Sequence, residues 1–301
     1  MVDLQQVNTS YEPFSLEPEY VEENRTFLQN RDFSGVTRIL DLACGNGGST
    51  AMLVGAAPHV HLNGVDIDEV GIQLSEKRFR ELGYDVRRGF EITDDMAGDK
   101  PVLVFGVSSA DELPFPEATF DYVTIANAIH MLPDKTRFVE AATRVLKPGG
   151  WFGFNSCFYA GTFPGDTDRF YTDWLKLAAQ ALTDRSRELV AAGKPPLKRK
   201  RKTSHRAFEN RWLSQQEWLD LVVEHGLEPS DVVERNVMLD ERCFVAISAY
   251  GGFASVLLSG YPVEDASWAL QSTVAPALEA YGAQRIPRNW LQVWARKTGG
   301  P

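Results

Sequence analysis

The strongest constraint on this chain is a short aliphatic run, Arg38-Ile39-Leu40-Asp41-Leu42, that ends in Ala43-Cys44-Gly45-Asn46-Gly47-Gly48. A run of that length without polar alternation reads as a strand buried on both faces of a parallel sheet. The glycines at its end permit a bend whose backbone approaches a ligand closely, because no side chain stands in the way. A helix beginning at Ser49 completes a strand–bend–helix unit. Such units belong to open α/β sheets, which bind ligands beyond the carboxyl ends of their strands.

The same alternation continues down the chain. Val60–Ile67 reads as a second strand, Glu69–Leu82 as a helix, and Val102–Val107 and Phe120–Ala126 as further strands. Lys135–Leu146 is helical, with Phe138, Val139, Ala142 and Val145 on one face, and Lys147-Pro148-Gly149-Gly150 stops it. Trp151–Asn155 is the fifth strand. Later segments are richer in helix: Thr167–Ala192, then Ser214–Gly226 with a capping box of Ser214 and Glu217, then Phe244–Leu258 and Val263–Tyr281. Val232–Met238 and Trp290–Arg296 supply two last strands. The expected division is an N-terminal helical lid at 1–35, a ligand-binding core at 36–156, and at 157–301 a helical cap interleaved with the last strands of the core sheet.

Bulk properties remove several classes. With 301 residues and 44% hydrophobic side chains, the chain can bury a core without disulfides or a structural metal. Cys44, Cys157 and Cys243 have neither disulfide-framework nor zinc spacing, so no metal is expected. The net charge of −10 argues against a protein built to grip nucleic acid. No signal peptide and no membrane span is evident, and the expectation is a soluble, cytoplasmic protein. The run Lys198-Arg199-Lys200-Arg201-Lys202 is read as a solvated, mobile loop, with recruitment of an acidic partner as another reading.

Four segments occur in order: ILDLACGNG (39–47), NGVDID (63–68), SADELPFPEATFDYV (109–123) and RVLKPGG (144–150). Together they resemble the class I S-adenosylmethionine-dependent methyltransferases. The likeness is nearest to the small-molecule group that holds the ubiquinone/menaquinone C-methyltransferases and many natural-product methyltransferases. It covers roughly residues 36–156. The resemblance implies S-adenosylmethionine as methyl donor, S-adenosylhomocysteine as product, and a Rossmann-like seven-stranded sheet with helices on both faces, its last strand antiparallel. A dinucleotide would also suit a G-x-G loop. Here the third glycine of that pattern is replaced by Thr50, and Asp41 with the LPFP and KPGG segments favours the methyl donor.

For such a ligand, Ala43, Gly45, Asn46 and Gly47 form the bend, and Asp41 organises it and receives the ammonium directly or through water. Asp66, ending the second strand, accepts the ribose hydroxyls beside Ile67. Ser109, Ala110 and Asp111 face the adenine, and Asn127 meets the methionine portion. Many relatives carry Asp where this chain has Ser109, so adenine recognition rests on Ser109 or shifts to Asp111. His130 follows the fourth strand as a candidate general base; the competing reading is a packing or capping histidine. Tyr11 and Tyr20 before the first strand, and Phe158, Tyr159 and Phe163 after the fifth, are candidate acceptor-pocket residues or simply core. Cys44 reads as small and buried. The expected activity is methyl transfer to a small, largely apolar metabolite or natural product at O, N or C. The alternative is a fold relative that binds the same ligand but catalyses a cyclisation or rearrangement. Oligomeric state is not legible.

Overall fold

The computed structural model describes residues 2–8, 11–200 and 211–299. It divides into two compact units. A sheet unit comprises Glu22–Ala160, Trp212–Arg235 and Trp290–Pro301; a helical unit comprises Met1–Val21, Gly161–Arg211 and Asn236–Asn289. The segment expected as a lid is shared between them, with 22–35 in the sheet unit.

The strands in chain order are β1 (Arg38–Leu42), β2 (His61–Asp66), β3 (Val86–Arg88), β4 (Met96–Ala97), β5 (Lys100–Pro101), β6 (Leu103–Val107), β7 (Phe120–Ala126), β8 (Leu146–Ser156), β9 (Leu227–Asp240) and β10 (Arg285–Lys297). The central sheet has the order β3-β6-β2-β1-β7-β8-β10-β9, while β4 and β5 pair separately. Pairing is parallel from β3 through β8. β10 runs antiparallel to β8. The seven expected strands are therefore present, with one addition. The edge strand β3 has three residues, of which only Val86 is buried, too few to leave a periodic trace in the sequence.

Alternation along the strands sends side chains to two separate cores. Leu40, Leu42, Val123 and Ile125 pack with Phe138 of α5 (Lys135–Val145) and with Trp218 of α7 (Gln215–Glu224) on one face. Ile39, Leu62 and Phe105 pack with Leu53 of α3 (Gly48–Ala56) and Phe79 of α4 (Glu69–Glu81) on the other, where Phe27 of α2 (Pro18–Gln29) joins them. Caps fix where these helices start. Asp134 accepts from Arg137 N at 2.9 Å, and the Ser214–Glu217 capping box is formed. β8 adds a correction: Lys147-Pro148-Gly149-Gly150 does not stand before the strand but lies within it. Pairing to β7 shifts between Phe120 and Tyr122 to absorb the extra residues, and Gly149 takes φ +77°. Nearby, a β-carbon on Gly153 would lie 2.4 Å from the Trp294 ring. Gly153→Ala is expected to lower stability by about 1–3 kcal/mol in urea unfolding, the usual cost of overpacking a core.

The helical unit holds α1 (Glu12–Ser15), α6 (Thr167–Ala191), α8 (Glu241–Ala249), α9 (Gly251–Leu257), α10 (Val263–Ser272) and α11 (Val274–Tyr281). Two helices expected after residue 243 are thus four. Tyr250 is extended (φ −72°, ψ 114°) ahead of Gly251 and Gly252, and Pro276 sits in the first turn of α11, where a helix can restart but not continue. Trp174 anchors α6 by donating Nε1–H to Leu270 O at 3.0 Å and packing edge-on to Phe244. Among the described residues, no helix is long and apolar enough to cross a membrane.

Candidate functional site

The expected ligand residues of the sheet unit gather at the carboxyl ends of β1, β2, β6 and β7. The bend after β1 runs through positive φ at Ala43 (+52°), Gly45 (+52°) and Gly47 (+79°). It is held from three sides. Cys44 N donates to Val65 O at 3.1 Å, Gly45 N donates to Asp66 Oδ2 at 2.8 Å, and Ser75 Oγ of α4 donates to Gly45 O at 2.7 Å. A β-carbon on Gly47 would meet the Phe79 ring at 2.9 Å and Ser75 Oγ at 3.0 Å, so the left-handed turn and the close approach both require glycine there. Gly47 also caps α3, which places the positive end of that helix at the bend.

Asp41 lies at the centre of the arrangement and is fully buried. Its Oδ2 accepts from Ser49 Oγ at 2.8 Å and Thr50 Oγ1 at 2.6 Å, while Oδ1 has no partner within hydrogen-bond distance among the described residues and the Thr124 hydroxyl faces the carboxylate from farther off. Burial pushes its carboxyl up to about 6, against the pull of the Thr50 and Ser49 hydroxyls. A buried carboxylate oxygen without a donor is costly unless something supplies one. Asp66 is restrained differently: Oδ2 receives Gly45 N–H and Oδ1 receives Asp68 N–H at 2.8 Å. Burial raises its carboxyl above the ordinary value, opposed by those same N–H groups. Each oxygen keeps a second lone pair for a hydroxyl. Next to it, Ile67 is 76% exposed, an apolar side chain standing open at the strand end.

One strand over, Ser108 N donates to Asp66 O at 3.0 Å. The Ser109 hydroxyl donates to Asp111 Oδ1, so these two act as one group, and Ala110 between them is buried. On the other side of β1, Asn127 takes φ +48° and is buried. Its Oδ1 accepts from Cys157 N at 3.0 Å, and its own N–H donates to Asn155 Oδ1 at 2.7 Å. Asn155 Nδ2 donates in turn to Asn24 Oδ1 of α2 at 3.0 Å. The Asn127 side-chain oxygen therefore shapes the β7 exit itself.

His130 sits in a 3₁₀ turn (Ile129–Met131), 3% exposed. Its Nδ1 lies 3.1 Å from Ser156 Oγ, and its ring is 4.3 Å from that of Phe158. Ser156 Oγ also donates to Phe158 O at 3.3 Å and accepts from Phe158 N at 3.0 Å. Which of Nδ1 and Ser156 Oγ donates to the other depends on the ring tautomer. Burial holds the Cys44 thiol well above its ordinary value, so it stays protonated and unreactive.

Of the candidate acceptor-pocket residues, Phe158 and Tyr159 are buried in the sheet unit, with the Tyr159 hydroxyl donating to Glu234. Tyr11, Tyr20 and Phe163 belong to the helical unit. There Tyr11 and Tyr20 stack edge-on at 5.6 Å, and Phe163 lies 4.7 Å from Tyr171. Sequence reasoning missed Ser49, Ser75, Asn24, Asn155 and Ser156. Only Ser49 left a usable signal, as a hydroxyl in the first turn of the helix after the bend. Glu17, Glu19 and Cys243 converge in the helical unit, where Glu19 pairs with Arg285 at 2.7 Å and Glu17 faces Arg242.

Residues 40–154 match the family model described as Methyltransferase domain. The matched segment contains the bend, Asp41, Asp66, the Ser109–Asp111 pair, Asn127 and His130. Two curated relatives align over segments of similar length. The phthiotriol/phenolphthiotriol dimycocerosates methyltransferase of Mycobacterium tuberculosis is 32% identical over 120 residues, 40% of this chain and 37% of the relative. The 27-O-demethylrifamycin SV methyltransferase of Amycolatopsis mediterranei is 34% identical over 113 residues, 38% of this chain and 36% of the relative. Little more than a third of each relative's length is therefore matched. Among solved structures, the [4+2]-cyclase SpnF superposes with a TM-score of 0.52 at 17% identity, covering 100% of this chain and 89% of that one. That likeness carries the whole fold, a largely parallel Rossmann-like sheet flanked by helices.

Proposed function

We propose that this chain transfers a methyl group from S-adenosylmethionine to a small, largely apolar acceptor. One observation carries the reading. A fully buried carboxylate, Asp41, keeps one oxygen without a donor beside a glycine bend that is itself clamped to a second carboxylate, Asp66. In this reading Asp41 holds the ligand's ammonium, Asp66 its ribose hydroxyls, Ile67 and the Ser109–Asp111 pair its adenine, and the β7 exit at Asn127 its methionine portion. Bound there, the sulfonium supplies an activated methyl group for in-line displacement. The chain's own work is to orient the donor and bring the acceptor atom into line with it. The relatives named for dimycocerosate and rifamycin substrates support a natural-product or lipid type of acceptor.

His130 is the residue that would take a proton from a hydroxyl acceptor. Its ring stands at the β7 exit, with Nδ1 3.1 Å from Ser156 Oγ. His130→Ala is expected to lower kcat about 100-fold on a hydroxyl acceptor, while calorimetric binding of S-adenosylhomocysteine stays unchanged. Full turnover by the variant removes the base from the mechanism. The overall reading is tested by incubating the protein with methyl-tritiated S-adenosylmethionine and natural-product extracts. Label passing into an organic-extractable product supports it. Ligand binding without transfer to any product, accompanied by a rearranged acceptor, replaces it with the cyclisation reading.

A further inference from the structure

The run of five cations at Lys198 to Lys202 has no part in the site above, and it stands out in a chain of net charge −10. Its first three residues are exposed, and they are docked onto the helical unit. Lys200 N donates to Gly260 O at 2.8 Å, and Arg199 donates Nε–H to Ser259 O at 3.1 Å with its guanidinium 5.7 Å from the Tyr261 ring. Upstream, Leu197 N donates to Ser186 Oγ of α6 at 3.1 Å. Gly260 takes φ +91°, and a β-carbon there would lie 2.3 Å from Lys200 O. The fold thus reserves a glycine for the basic segment to lie against. Arg201 and Lys202 lie outside the described residues. The solvated loop expected from sequence is exposed at 198–200, and at 197–200 it carries these hydrogen bonds.

Between this strip and the last turns of α6 runs an open groove of about 500 Å³, where Leu182, Val190, Ala191, Leu197 and Tyr261 form the apolar lining and Thr183, Ser186 and Arg187 the polar one. Val190 is 55% exposed. On the same stretch of α6, Asp184 is paired with Arg187 at 3.0 Å and Glu188 is exposed, so the local cations outnumber the anions once the strip is added. The groove spans residues 182–191, about 14 Å at the helical rise per residue. That is short for a docked partner helix and suits a single hydrocarbon chain.

We infer that this face is a docking surface for an anionic lipid bilayer, with the basic strip on the headgroups and the groove receiving an apolar tail. A polybasic strip attracts an anionic membrane strongly at close range, and the attraction is screened within about 8 Å at physiological salt, so the acidic remainder of the chain does not cancel it. The arrangement places cations and an accessible apolar trough side by side, the order in which a bilayer presents phosphate and hydrocarbon. The inference stands apart from the methyl-transfer reading.

The test is co-sedimentation of the full chain with vesicles of phosphatidylcholine alone, and with vesicles in which about a third of the lipid is phosphatidylglycerol. Binding is expected only to the anionic vesicles, with release in high salt. The exposed pair Lys198→Glu with Lys200→Glu is expected to weaken it on the order of 100-fold at unchanged circular dichroism. Gly260→Val, which displaces the strip without altering charge, is expected to weaken it about tenfold. No binding to anionic vesicles, equal binding to both vesicle types, or binding unmoved by the charge reversal overturns the proposal. So does retention on immobilised poly-glutamate without vesicle binding, which makes an acidic polypeptide the occupant.

Discussion

Asp66→Ala is expected to raise the Kd for S-adenosylhomocysteine at least about 100-fold, while costing folding only about 1–2 kcal/mol. The asymmetry comes from what the carboxylate does in each state. Without ligand it accepts two backbone N–H groups, from Gly45 and Asp68, in a half-buried position at the end of β2, and water can replace it there in part. With ligand, in the proposed arrangement, the same two oxygens also receive two hydroxyl donors, and hydrogen bonds to a charged acceptor are worth about 1.5–3 kcal/mol each. Removing the side chain also frees Gly45 from its clamp, so the bend loses its preset shape. Isothermal calorimetry gives the Kd and thermal unfolding of the unliganded protein gives the stability. Unchanged binding rejects Asp66 as a ligand contact, and a collapse of stability equal to the loss in binding makes its role structural.

Asp41→Asn is expected to part stability from binding in opposite directions. Burial raises the folded-state carboxyl to about 6 from an ordinary 3.8. A group raised on folding contributes stability that is fully present below its unfolded value and is lost as pH rises through about 6. Ionised Asp41 therefore costs the ligand-free protein about 3 kcal/mol at neutral pH. Asparagine keeps the shape and can still accept from Ser49 and Thr50, so the variant is expected to be more stable than the parent above pH 6, by about 1–3 kcal/mol. Binding moves the other way. An ammonium ligand needs the ionised form, so affinity of the parent falls roughly tenfold per pH unit below about 6. The asparagine variant binds about 100-fold more weakly at neutral pH, with that slope gone. Calorimetry from pH 5 to 8 and thermal unfolding across the same range check both arms. A parent slope that persists in the variant assigns the proton to another group.

The sequence made the framework of the sheet unit legible because its signals are local. β7 was expected at Phe120–Ala126 and occupies those residues, since a buried parallel strand needs an uninterrupted apolar run. Asp41, Gly45 and Asp66 converge because strand ends and bends are written in consecutive residues. What escaped were partnerships between residues far apart in the chain. Asn24 meets Asn155 across 131 positions, and Ser75 reaches Gly45 across 30, with no pattern in either neighbourhood to announce it. Breaks in apolar helices were also hidden. The sequence from Phe244 to Leu258 is helical in composition throughout, and only the extended backbone at Tyr250 divides it. The seating of Lys200 was not legible for a related reason: it involves Gly260, sixty residues further on, where one missing side chain makes room.

The amide chain Asn24–Asn155–Asn127–Cys157 has a consequence for how the unit breathes. The N–H of Asn127 donates to the side chain of Asn155, which also grips the second helix, and to the backbone oxygen of the same residue at 3.2 Å. Its exchange with solvent deuterium should then need both detachment of residues 22–29 and opening of β7 from β8. A single amide at the strand exit becomes a readout of whether the N-terminal helix is seated, and its protection should rise when ligand binding steadies that corner.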